Sequence, residues 1–263
     1  MAAMMLAELR GKVGDRVRGS EDVLTSYAFG VCEALDPEEL LVPWSARAAR
    51  LDGQRLSLAA TKAAYEFWPA LDLAGQGVEP DVLVTLWDGA GVATLVLFEA
   101  KFRSGPSGWP TGPDVDDVTG QLGRQWLALN ALAPHEAPGA PHAVSRRVIV
   151  YLTADARRPD FVLEGMAREV AKAGHASDEF RSALYWLSWR ELSLRLRHAR
   201  AKPARTTAVL AARLDAVLAE RALSCFGGSQ EPEAGPVPWR YERRPYAFQS
   251  PTAEPAPWNY RSR

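Results

Sequence analysis

Asp81 to Lys101 reads DVLVTLWDGAGVATLVLFEAK, and this stretch decides the fold. Two runs rich in β-branched and apolar residues flank Asp88-Gly89-Ala90-Gly91, a composition that favours a tight reversal of the chain. The stretch therefore predicts a β-hairpin. Its second run is apolar at every position from Leu95 to Phe98, so both faces of that strand need cover, as in a central strand between two helical layers. If Gly89-Ala90-Gly91 forms a three-residue loop, Asp81 falls opposite Glu99, with Cβ atoms about 5 Å apart. Alternation along the strand puts Glu99 and Lys101 on one face, about 7 Å apart.

Upstream, Ser20 can cap a helix whose Leu24, Tyr27, Ala28, Val31 and Leu35 recur at helical spacing, with Pro37 closing it. Ala63 to Leu71 (AAYEFWPAL) reads as a strand, ended by the turn-rich Ala74 to Gly77. Downstream, a Gly/Pro-rich loop from Ser104 to Pro113, a candidate substrate flap, leads into a helix from roughly Asp116 to Leu132. Ser145 to Thr153 is a buried strand, Phe161 to Ala173 a helix, Ser182 to Ser188 a strand, and Arg190 to Arg200 and Thr206 to Leu223 two further helices. This order predicts an α/β fold, a mixed central β-sheet flanked by helices on both faces, in one domain over residues 1–226. Residues 227–263 are rich in proline but carry Trp239, Tyr241, Tyr246, Phe248 and Trp258, so this tail is expected to pack on the domain.

A chain of 263 residues with 47% hydrophobic and 24% charged residues has the profile of a soluble globular protein with a sizeable core. Its formal net charge of −1 gives no global attraction to nucleic acid, so such contact needs a local basic patch. Arg195, Arg197, Arg200 and Lys202 are the candidates, in a run from Arg190 to Arg205 whose single acid is Glu191; a solvated helix face is the alternative. Cys32 and Cys225 are far apart and lack neighbouring ligands, which argues against a disulfide framework or a zinc site. The four histidines show no ligand spacing. With no apolar run long enough to span a bilayer and no signal-peptide core, a cytoplasmic protein with no membrane association is expected.

Two facing carboxylates repel each other unless a cation lies between them, and hard oxygen ligands of this kind suit Mg²⁺ or Mn²⁺. Asp81 and Glu99 are thus candidate metal ligands, with Lys101 beside them to offset developing negative charge. A glycosidase would instead place two carboxylates across an open cleft without an adjoining lysine.

Glu79-Pro80-Asp81 followed by Glu99-Ala100-Lys101 resembles the signature of the PD-(D/E)xK nuclease superfamily. The resemblance covers most of residues 20–200 and implies a restriction-endonuclease-like fold and metal-dependent hydrolysis of phosphodiester bonds. DNA is the substrate it implies first, with RNA still open, in a setting such as defence or repair. It further implies that a carboxylate on the first helix, Glu21 or alternatively Asp22, completes the metal site. Gln121 and Gln125, one helical turn apart, resemble a glutamine element that the family places beside the active site, with glutamine here where some members carry tyrosine. The alternative is a non-catalytic subunit of the same fold that binds nucleic acid or a partner protein, for which the near-neutral charge argues; a protein partner or a homodimer is open in either case.

Overall fold

The hairpin closes as its turn residues dictate. In the computed structural model, which describes residues 20–102, 120–200 and 205–225, Gly91 N–H donates to the Asp88 carbonyl and Asp88 N–H to that of Val92. Gly91 takes φ 79°, a left-handed conformation that suits glycine, and Asp88 Oδ1 accepts from the N–H groups of Ala90 and Val92. This loop fixes the register Val82 to Phe98, Leu83 to Leu97 and Trp87 to Ala93. One step before Val82, Asp81 lies level with Glu99.

In chain order the described elements are α1 (Glu21–Glu33), α2 (Leu41–Ser45), β1 (Lys62–Phe67), β2 (Leu71–Leu73), β3 (Gln76–Val78), β4 (Val82–Trp87) and β5 (Ala93–Lys101). They continue with α3 (Gln121–Ala131), β6 (Val144–Thr153), α4 (Asp160–Lys172), α5 (Ser177–Ala183), β7 (Leu184–Ser188), α6 (Trp189–Arg200) and α7 (Arg205–Glu220). Five strands form one sheet in the order β1-β4-β5-β6-β7. The β1, β4 and β5 strands pair antiparallel, while β5, β6 and β7 run parallel, so the sheet is mixed and β5 is its centre.

Each face of the sheet buries its own core. Val82, Val84, Val96, Phe98, Val148 and Val150 pack with apolar residues of α1, α2, α6 and α7. Leu83, Leu95, Leu97, Ile149 and Tyr151 pack with those of α3, α4 and α5. Neighbours along β5 alternate between the two cores, which explains why its apolar run is unbroken. Phe98 is fully buried and lies 4.7 Å from Phe29 and 6.4 Å from Trp44 between ring centroids.

Three expected boundaries shift. The strand expected from Ala63 to Leu71 stops at Phe67: Trp68 adopts φ 50° and Pro69 follows, a residue that lacks an N–H for the ladder. Leu71–Leu73 pairs instead with Gln76–Val78 in a separate hairpin, whose two-residue loop has positive φ at both Ala74 and Gly75. The last strand begins at Leu184 because Ser177–Ala183 is helical. The Ser104 to Pro113 loop and the C-terminal tail lie outside the described residues. Among the described residues, no helix is long and apolar enough to cross a membrane.

Candidate active site

Ser20 caps α1, its hydroxyl accepting from Val23 N–H at 3.4 Å, and this places Glu21 in the first helical turn. The helix packs on the Phe98 side of the sheet, but its N-terminus reaches the end of β5. There Glu21 Oε2 accepts from Phe102 N–H at 2.6 Å, and Oε1 lies 3.2 Å from Lys101 Nζ. Lys101 Nζ also lies 2.5 Å from Glu99 Oε1, so one ammonium bridges two carboxylates. From β4, Asp81 Oδ2 accepts from Ala100 N–H at 2.7 Å, and the Asp81 carbonyl accepts from Trp68 N–H at 2.9 Å. The structure thus gathers Glu21, Asp81, Glu99 and Lys101 where β4 begins and β5 ends.

Gln125 closes this cluster from above. It lies on α3, is fully buried, and donates through Nε2 to Glu99 Oε2 at 2.6 Å. A carboxylate can only accept, which fixes the orientation of the amide and turns its oxygen elsewhere. That oxygen has no hydrogen-bond partner among the described residues. Gln121, the other glutamine of the pair named from the sequence, is half-buried at the start of α3, and the bond to Glu99 comes from one turn further on. The beginning of α3 is itself held by Glu169 of α4, whose carboxylate accepts from Gly120 N–H. A Cβ at position 120 would press on that carboxylate, whose side chain would have to shift.

Burial sets the electrostatics. Asp81 is only 9% exposed and its pKa is pushed up to about 7, first by loss of water and then by the charge of Glu99, against the opposing pull of the Ala100 N–H and Lys101. Glu99, at 1% exposure, is also raised by burial, while Lys101 and Gln125 oppose the shift. Burial alone would pull Lys101 down, but the carboxylates of Glu99, Glu21 and Asp81 overcome it and hold the ammonium charged. Three carboxylates and one ammonium leave two negative charges in this pocket when all are ionised.

The basic run is placed elsewhere. Arg195 and Arg197 ride on α6, which packs in the core on the opposite face of the sheet from the one that Glu99 and Lys101 share with α3. Arg197 Nη2 donates to the Cys225 carbonyl at 2.9 Å and Arg190 Nη1 to that of Ser224 at 3.4 Å, so these arginines fasten the end of the domain. The side chain of Arg200 and all of Lys202 lie outside the described residues.

Sequence reasoning missed Tyr151. It is the neighbour of Glu99 in the parallel register of β5 and β6, as Thr153 is of Lys101. No local pattern announces a partner that arrives from another strand. Comparison with protein-family models, with curated proteins and with solved structures yields no match.

Proposed function

We propose that this chain is a metal-dependent nuclease whose site is Asp81, Glu99 and Lys101, completed by Glu21. One observation carries the reading: three acidic side chains gather around a single buried lysine at the end of the central strand, an excess of negative charge when all are ionised, where water is scarce. Structural ion pairs are normally balanced, because an unneutralised buried charge is costly. A divalent cation would supply the missing balance, and the donor set of carboxylate oxygens suits Mg²⁺ or Mn²⁺. Among the described residues no three Asp, Glu, His or Cys side chains already converge as a metal cage. Lys101 stands between Glu21 and Glu99, so binding requires its ammonium to give way.

Asp81 and Glu99 would hold the ion, with Glu21 as third ligand; when bound, it supplies an activated water and offsets phosphoryl charge. The protein's own residues do the rest. Asp81 is oriented by the Ala100 N–H, Glu99 by Gln125, and Lys101 presents a positive charge to the phosphoryl oxygens as the bond to the leaving oxygen breaks. DNA is the proposed substrate, with RNA as the competing one.

The test is cleavage of circular plasmid and single-stranded DNA with Mn²⁺, Mg²⁺ or EDTA. The expected result is cutting with either metal, none in EDTA, and a loss of at least about 10³-fold in Asp81→Ala and Lys101→Ala. A second reading, a non-catalytic subunit that binds nucleic acid or a partner protein, is favoured by the engagement of Lys101 with two carboxylates at once. It predicts no cutting in any metal and no calorimetric Mn²⁺ binding that depends on Asp81.

A further inference from the structure

An anionic phosphodiester approaching this cluster meets mostly acceptors. Asp81, Glu99 and Glu21 can only accept while ionised, and the N–H groups of Ala100 and Phe102 are spent on two of them. Lys101 and the Gln125 amide already have carboxylate partners. Along the neighbouring strand ends, Thr153 donates to Asp155, Trp186 to Thr153, and Ser188 to the Asp155 carbonyl. Tyr151 differs, since its hydroxyl makes no hydrogen bond among the described residues.

Register brings Tyr151 beside Glu99 on the same face of the sheet, where adjacent strands are about 4.8 Å apart. Its ring belongs to the core beneath α3, while Lys101, Glu99, Asp155 and Glu21 act electrostatically on its hydroxyl. The phenol is therefore apolar in its body and polar at the tip that faces the charges. Its pKa is pushed up to about 12, chiefly by burial and against the pull of Lys101, so the group keeps its proton at neutral pH.

We propose that the Tyr151 hydroxyl donates a hydrogen bond to a phosphoryl oxygen of a phosphodiester seated beside Lys101. The inference rests on the nuclease reading for its substrate class, yet it concerns binding and can be tested without turnover. A hydroxyl with no protein partner stabilises the fold little, so Tyr151→Phe should unfold at the same temperature as the wild type. Tyr65, on the opposite face of the sheet, has a buried hydroxyl that also lacks a partner among the described residues, which makes Tyr65→Phe the matched control.

The probe is a phosphorothioate dinucleotide titrated by calorimetry with Mn²⁺ present. Tyr151→Phe should bind it about tenfold more weakly than the wild type, and Tyr65→Phe should bind it equally well. Equal binding by Tyr151→Phe would overturn the inference, as would weaker binding accompanied by a lower unfolding temperature, which assigns the hydroxyl a structural role. Absence of wild-type binding would overturn it together with the nuclease reading. Weaker binding by Tyr151→Phe in a protein that cuts no substrate would uphold the phosphoryl contact and defeat the catalytic reading alone.

Discussion

Along β5, Leu95 to Phe98 and Glu99 to Lys101 are continuous strand and similarly buried, but they are made of opposite materials. The apolar half is held by packing that has no preferred direction, with Phe98 against Phe29 and Trp44. At the charged end each contact has a direction and a sign, so removing one group exposes its partners to an environment that cannot solvate them. One strand thus carries a region that tolerates approximate substitution and a region that does not.

The largest effect expected from breaking this contrast is in the apolar half. Phe98→Ala should cost about 4 kcal/mol in urea unfolding, and the loss should be the same at pH 5 and pH 8 because no titrating group is involved. At the charged end, Lys101→Met leaves Glu99 buried without its cation and should cost about 3 kcal/mol at pH 8. The double variant with Glu99→Gln should recover most of that loss, whereas additive losses would show that the pair is not coupled.

A smaller effect has the opposite sign. Asp81 has a folded pKa of about 7, above its unfolded value, so the folded state retains a proton that the unfolded chain has lost. Stability contributed by this group is fully present below the unfolded value near pH 4, falls as pH rises toward 7, and levels off above it. Asp81→Asn keeps an acceptor for the Ala100 N–H, and should exceed the wild type in stability as pH rises, with the gap widest near pH 8 and closing toward pH 4. A gap that stays constant with pH would remove Asp81 as its source. The smallest effect is on the other layer: Arg197→Ala should leave cleavage within about threefold and stability within about 0.5 kcal/mol, since its carbonyl contact is exposed.

Local chemistry made the hairpin legible. The turn residues from Asp88 to Gly91 determine the register, and the register brings Asp81 level with Glu99. Ser20 did the same for Glu21, because a cap fixes where the first turn begins. The choice between Gln121 and Gln125 was not legible, since both share a helical face. The start of α3 over the sheet is held by the hydrogen bond from Gly120 N–H to the distant Glu169. Tyr151 was hidden for a similar reason, as nothing near it in the chain encodes the parallel pairing of β6 with β5. Trp68 and Pro69 show a third kind of limit: the apolar pattern continues through them, while the backbone does not.

The pairing of β5 with β6 also has a kinetic consequence. A β4–β5 hairpin can form early from local contacts, with Asp81, Glu99 and Lys101 still hydrated and their repulsion screened. Desolvation comes only when α3 and β6 dock over them, a step that closes long loops and therefore falls late in folding. Neutralising a carboxylate should then ease the last stage of assembly and leave the early collapse unchanged. The site would come into being only as the whole sheet is completed, and a partly folded chain would carry its residues without its chemistry.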